Sequence, residues 1–320
     1  MSEDPFTRIL GHSAAAEAMR TFGRRAATVD APVLLLGESG TGKGVLARAI
    51  HDASARARGA FVAVNCAAVP DSLFESEFFG HVRGAFTGAQ YAHKGLLEQA
   101  HGGSLFLDEV GELPLGAQAK LLTAIEDRQV RRVGGERTQA VNVRIIAATA
   151  CDLQSLLATN GFRRDLYHRL SVLSFHITPL RNRITDLALL CDSILLHITR
   201  RYQRAPMRCA PETLERLAAH DWPGNVRELA NTLERAVLSS SGSMLTPSSL
   251  AIPARVQLVR ELAQPTPRAR YSFVGSPAEE LALIEAAIAR CRGNKTRAAE
   301  ILGMSRNTLL NKLRRLAMSA

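Results

Sequence analysis

Residues 33–44 read VLLLGESGTGKG: a short apolar run, then Gly37-Glu38-Ser39-Gly40-Thr41-Gly42-Lys43, then Gly44 at the head of an amphipathic stretch. A buried strand, a glycine-rich turn and a helix start, in that order, are the setting in which a turn becomes a cradle for phosphate. Glycines let successive backbone N–H groups converge on the oxyanions, the helix N-terminus adds partial positive charge, and Lys43 reaches the terminal phosphates. The predicted ligand is a nucleoside triphosphate with Mg²⁺, held by the residues from Gly37 to Gly44. The general motif carries Ser or Thr after the lysine to help hold the metal. Gly44 has no hydroxyl, so one metal ligand must come from elsewhere or from water.

Outward from this loop, apolar runs alternate with amphipathic stretches between Ala31 and Thr149, the sequence form of a parallel sheet covered by helices. Buried strands are predicted at Val33–Leu36, Phe61–Asn65, Ser104–Asp108 and Arg144–Thr149, with helices at Gly44–Ala55 and Leu115–Asp127. The third strand ends in Asp108-Glu109, which places two carboxylates at the sheet edge beside the phosphate loop. Asp108 is suited to hold Mg²⁺ through water and Glu109 to polarise an attacking water. From Asp186 to Ser240 the spacing is helical only, which predicts a smaller helical domain. Residues 246–277 contain Pro247, Pro253, Pro265, Pro267 and Pro277 among Ser, Thr and Arg, a composition that reads as a linker. Strong helical periodicity then resumes over residues 278–320. The predicted organisation is an α/β nucleotide-binding part over 1–180, a helical lid over 181–245, the linker and a C-terminal all-α domain.

The formal net charge is +10, and residues 251–320 hold twelve Lys/Arg against five Asp/Glu, so most of the excess lies at the C-terminus. That concentration favours a polyanionic partner there, namely nucleic acid. Five cysteines, Cys66, Cys151, Cys191, Cys209 and Cys291, are scattered without a metal-binding spacing and read as reduced packing thiols. The first thirty residues hold no apolar run long enough for a signal peptide or a membrane span, which reads as a cytoplasmic protein.

Gly84-Ala85-Phe86-Thr87-Gly88-Ala89 is a glycine-flanked loop exposing one aromatic residue, a pattern that marks a partner contact. With the phosphate loop and Asp108-Glu109, this hexapeptide resembles the signature of the bacterial enhancer-binding activators of sigma-54 RNA polymerase, which are AAA+ ATPases. The resemblance runs from Ile9 to the C-terminal helix. It implies an AAA+ P-loop fold, ATP and Mg²⁺ as cofactors, and a hexapeptide loop that contacts sigma-54. It also implies a hexameric ring that remodels the RNA polymerase closed complex to the open complex. Residue by residue, Asn65 resembles the switch that holds Glu109 in check, and Thr149 the sensor of the terminal phosphate. Arg163 and Arg169 resemble arginine fingers that reach the neighbouring subunit's nucleotide, and Arg227 the sensor arginine of the lid. The sequence departs from the family where Gly44 replaces a usual Glu and Ala150 a usual Asn. Those departures motivate an alternative, a weakly hydrolysing DNA-binding co-activator that works in a hetro-oligomer with a paralogue.

The C-terminal segment reads as helix, glycine turn, helix: small Ala298 and Ala299 permit close approach, Gly303 makes the turn and Ser305 caps the second helix. Arg306, Asn307 and Thr308 are positioned to meet base edges. Lys295, Thr296, Arg297, Asn311 and Lys312 complete the DNA-binding set, with Arg314 and Arg315 suited to phosphates. The segment resembles the Fis-type helix-turn-helix of the same family, which implies dimeric binding to palindromic enhancer DNA. The phosphate-loop domain begins within about ten residues of Met1, where many members carry a receiver or sensing domain. Short forms of this kind include the phage-shock and type III secretion activators, and control is then expected through a trans-acting regulatory protein.

Overall fold

The computed structural model describes residues 4–240 and 242–250, together with Ile284 and Leu309, each helical and buried. The chain separates into two units, Met1–Ile252 and Pro253–Ala320. The first is an α/β unit with a helical lid.

Its centre is a five-stranded sheet of β1 (Val33–Leu36), β2 (Phe61–Asn65), β3 (Ser104–Asp108), β4 (Arg144–Thr149) and β5 (Leu173–His176), in the order β2-β3-β4-β1-β5. Every pairing is parallel. β1 to β4 have the bounds that the apolar runs predict. In β1, β3 and β4 those runs exist because central strands of a parallel sheet are covered on both faces, whereas β2, expected to be buried, is an edge strand and only partly covered. Alternate residues divide between two apolar clusters: Leu34, Leu105, Leu107, Ile145 and Ala147 on one face, Val33, Leu35, Phe106, Ile146 and Ala148 on the other. Each fully buried Leu or Ile contributes about 1.5–3 kcal/mol relative to exposure.

Helices α1 (Ala14–Ala27) and α2 (Lys43–Asp52) cover the second face. On the first lie α3 (Asp71–Phe79), α4 (Leu96–Gln99), α5 (Leu115–Asp127), α6 (Leu153–Ala158) and α7 (Arg164–Leu170). α2 stops three residues before the predicted Ala55, because Ser54 Oγ donates to His51 O at 2.8 Å and accepts from the Arg56 N–H at 3.1 Å, turning the chain out of the helix. β5 was not anticipated from the sequence. It is an edge strand reading Leu-Ser-Phe-His, half-buried at alternate positions, and so lacks the continuous apolar run of the others.

The lid consists of α8 (Leu187–Arg201), α9 (Pro211–Ala218) and α10 (Asn225–Ser239) around a core that includes Leu195, Leu217, Trp222, Leu229 and Leu233. The buried Trp222 indole donates to Leu217 O at 2.8 Å, which satisfies its one polar atom. The lid is not helical only: Arg208–Cys209 pairs with Met244–Leu245 in a short parallel ladder. Leu250, inside the stretch whose composition reads as linker, is buried in the lid core, so packed chain continues at least that far. Asp186, 1% exposed, joins lid to sheet domain by accepting from the His12 and Ser13 N–H groups at 2.7 and 2.8 Å and from Ser13 Oγ at 2.6 Å.

Candidate functional site

The strand registers Leu36↔Thr149 and Asn65↔Asp108 bring the C-terminal ends of β1, β2, β3 and β4 to one edge, where ligands of open α/β sheets bind. The phosphate loop leaves β1 at this edge. Gly37, Gly40 and Gly42 have φ of 145°, 77° and 108°, in the range that favours glycine. At Gly40 the need is also steric, since a Cβ would lie 2.2 Å from Gly224 O. Lys43 is buried and its Nζ donates to Gly37 O at 2.8 Å and Glu38 O at 3.2 Å. Thr41 Oγ1 donates to Glu38 O at 2.8 Å. Gly44 is exposed, and the nearest atom to a Cβ there would be a Phe106 ring carbon at 3.8 Å, so packing does not reserve this position for glycine.

Asp108 and Glu109 stand opposite the lysine, with Glu109 Oε1 3.7 Å from Lys43 Nζ. Burial, and next the neighbouring Glu109, push the Asp108 carboxyl above its ordinary value, while Lys43 opposes the shift. Two adjacent carboxylates, one of them half-buried, form an oxygen-rich edge suited to a hard divalent cation.

Asn65 and Glu109 have separate hydrogen-bond partners. Asn65 Oδ1 accepts from the Ala67 N–H at 3.0 Å and caps the short helical turn that follows β2, whereas the Glu109 carboxylate accepts from the main-chain N–H of Ala150 at 2.8 Å. Asn65 is at the right edge but is engaged by its own turn, because an Asn side chain reaches the amide two residues on more readily than a group on the next strand. Ala150 lacks the side chain of Asn yet holds Glu109 through its backbone. Thr149 is buried and its hydroxyl accepts from the Cys151 N–H at 3.0 Å.

The lid closes over the same loop. Arg227 donates to Ser39 Oγ at 2.6 Å. Four further residues were missed from the sequence. Arg181 forms a bidentate pair with Glu38 at 2.6 and 2.8 Å, which holds the Glu38 carboxyl below its usual range. Asn225, buried with φ of 50°, accepts from the Leu180 N–H at 2.7 Å and donates to Glu38 at 3.0 Å and Ser39 O at 3.1 Å. Arg183 donates to Thr41 O at 2.9 Å, and Asp186 ties down residues 12 and 13 as described above. The sequence signal for these was thin: arginines and an asparagine more than 140 positions from the loop they hold.

The hexapeptide stands apart. A Cβ on Gly84 or Gly88 would meet nothing within 4 Å. The loop is closed by the Gly84 N–H donating to Ala89 O at 2.8 Å, with Phe86 42% exposed and Thr87 exposed beside it. At its base the Phe86 ring meets His81 edge-on at 5.0 Å, and the Val82 N–H donates to Val133 O at 3.1 Å on a neighbouring hairpin.

Residues 9–176 match the family model described as the sigma-54 interaction domain, residues 181–264 an AAA+ ATPase lid domain, and residues 277–316 a bacterial regulatory protein of the Fis family. The chain belongs to the sigma-54-dependent transcriptional regulators. Regulatory protein AtoC of Escherichia coli K12 is 44% identical over 286 residues, covering 89% of this chain and 62% of AtoC. The Nif-specific regulatory protein of Azotobacter vinelandii is 42% identical over 93% of this chain and 56% of its own length. The chain thus spans less than two thirds of these relatives. Among solved structures, NtrX from Brucella abortus aligns with a TM-score of 0.72 at 35% identity, covering 98% of this chain and 70% of NtrX. NtrX in complex with ATP aligns with a TM-score of 0.71 at 35% identity, covering 96% of this chain and 69% of that one.

In this sigma-54-dependent regulator, Arg163 and Arg169, the residues expected to act as arginine fingers, lie away from their own chain's phosphate loop. Arg163 caps the start of α7 and pairs with Asp165 at 2.7 Å, both exposed. Arg169, near the other end of α7, lines a cavity of about 220 Å³ with Asp30, Arg56 and Arg144, beside the N-terminal ends of β1 and β4. Neither hydrogen-bonds or ion-pairs with residues 37–43. Lys295, Thr296, Arg297, Ser305, Arg306, Asn307, Thr308, Asn311 and Lys312 fall outside the described residues. Among the described residues no helix is long and apolar enough to cross a membrane.

Proposed function

We propose that this chain binds ATP with Mg²⁺, hydrolyses it as a hexameric ring tethered to enhancer DNA, and uses the turnover to remodel the sigma-54 RNA polymerase closed complex. The observation that carries the reading is the convergence of Lys43, Asp108 and Glu109 at one sheet edge, beneath a lid that holds the loop through Arg181, Asn225 and Arg227. NtrX, similar over nearly the whole chain, is known in complexes with ATP and with ADP.

In this reading backbone amides of the loop and Lys43 take the phosphates. Asp108, with water in place of the hydroxyl that Gly44 lacks, holds Mg²⁺, which would neutralise charge developing on the transferred phosphoryl group. Glu109 polarises the attacking water. Arg163 and Arg169, unconnected to their own loop, act on the neighbouring subunit's nucleotide, which makes the lone chain a poor ATPase. Phe86 and Thr87, exposed on the hexapeptide loop, contact sigma-54, and the basic C-terminal domain takes palindromic DNA. The chain works in the cytoplasm.

The test is ATP turnover by the purified chain from nanomolar to high micromolar concentration. The reading predicts turnover per chain that rises cooperatively and is abolished by Glu109→Ala with nucleotide binding retained. Negligible turnover at every concentration overturns the self-sufficient motor. If turnover then appeared only on mixing with a paralogue, the co-activator reading, motivated by Gly44 and Ala150, would replace it.

A further inference from the structure

The turn that ends β4 is tied to the turn that carries the catalytic carboxylate by two bonds. Ala150 N–H donates to Glu109 Oε2 at 2.8 Å, and Cys151 Sγ donates to Glu112 Oε1 at 3.1 Å. The turns are in van der Waals contact: a Cβ on Gly111 would lie 2.9 Å from both Thr149 Oγ1 and Cys151 Cβ. Glu109 itself sits at φ 53° and ψ 48°, a left-handed backbone that a Glu keeps only when its surroundings fix it. The Ala150 N–H donates to its carboxylate. A third bond, from Cys151 N–H to Thr149 Oγ1 at 3.0 Å, occupies the one hydroxyl at the end of β4. Thr149 also faces the phosphate loop, since its carbonyl accepts from the Gly37 N–H at 3.3 Å.

The geometry points to residues 149–151 as the latch that restrains Glu109, with Cys151 as the residue that positions it; this rests on the ATPase reading above. Thr149 Oγ1 accepts from the Cys151 N–H and keeps its own proton to donate to a terminal phosphate, so a shift of Thr149 toward the phosphate draws the 149–151 turn with it. The Ala150 N–H then releases Glu109 toward the attacking water. The Cys151 thiol keeps the turn in its resting place by donating to Glu112. Burial and the Glu112 carboxylate hold that thiol protonated by pushing it above its ordinary value, so a donor is present at neutral pH. The latch is assembled from main-chain groups and a thiol.

The experiment is single-turnover and steady-state ATP hydrolysis by the full chain, with nucleotide affinity measured separately by a fluorescent ATP analogue. Cys151→Ala weakens the latch and raises kcat by roughly threefold to tenfold, the range set by one net hydrogen bond, with KM and analogue affinity unchanged. Glu112→Gln, which weakens the acceptor and touches no nucleotide group, raises kcat in the same direction. Cys151→Ser, which keeps a donor, moves kcat less than Cys151→Ala. The double variant Cys151→Ala with Glu112→Gln gains no more than the larger single effect, because both remove the same bond. Unchanged or lower kcat in both single variants, with affinity intact, overturns the latch. Should Cys151→Ala fail to fold, Glu112→Gln alone decides. A wild-type chain that binds the analogue yet never turns over ATP would instead overturn the ATPase reading.

Discussion

The phosphate loop and the hexapeptide loop are both rich in glycine, and both place glycines at positive φ, yet they are held by different means. Around Gly37–Lys43 the fold leaves no space: Gly40 lies against Gly224 O, and side chains from the lid bond to Glu38, Ser39 and Thr41. Around Gly84 and Gly88 there is open space, and the loop's bonds are largely its own. Glycine in the first case admits close approach of another part of the chain, and in the second it admits a turn that projects side chains outward. A loop fixed by tertiary contacts suits a ligand that must be met in one geometry, and a loop fixed at its base suits a contact made and broken by movement.

The largest effect that could break this contrast is at Gly40. Gly40→Ala combines positive φ with a clash against Gly224 O and is expected to cost about 2–4 kcal/mol in denaturant unfolding, with loss of nucleotide binding. Gly84→Ala carries only backbone strain and is expected to cost about 1 kcal/mol, with nucleotide affinity retained. Equal costs at the two sites would mean that the hexapeptide is packed after all.

A smaller effect tests the lid's grip. The Arg181 hydrogen bond holds the Glu38 carboxyl below its ordinary value, so its contribution is complete above the usual carboxylate range and is lost as pH falls through the lowered value. Both side chains are about 40% exposed, so solvent screening limits the contribution. Glu38→Gln should therefore cost only about 0.5 kcal/mol at neutral pH, and should flatten the acid limb of the stability curve. An unaltered acid limb in the variant would remove Glu38 from the lid's grip. The smallest effect on stability is expected at Phe86→Ala, within about 0.5 kcal/mol of zero, because the ring is 42% exposed on a surface loop. The same substitution should abolish sigma-54-dependent transcription in a reconstituted promoter assay while leaving ATP turnover in place. Retained promoter activity there, and with Thr87→Ala, would break the assignment of this loop to sigma-54.

Much of this was legible before the structure. The central strands β1, β3 and β4, covered on both faces, and the edge strand β2 all write continuous apolar runs and could be bounded from the sequence, whereas the edge strand β5 alternates and could not. The phosphate loop, Asp108-Glu109 and the hexapeptide were legible because their chemistry is contiguous in the chain. Arg181, Arg183, Asp186 and Asn225 were not, since each acts on residues brought near only by folding of the lid. The choice between Asn65 and Ala150 as holder of Glu109 was equally out of reach, because both lie at the same sheet edge and a short-range turn claims the Asn side chain.

The sequence by itself determined that a glycine-rich turn follows a buried strand and presents Lys43, because turn conformation and apolar periodicity are local properties of consecutive residues. Only the tertiary structure decided what surrounds that turn. The lid's contacts and the bond from Ala150 to Glu109 join segments distant in the chain, and a hydrogen bond exists or fails over a few tenths of an ångström that no local pattern records.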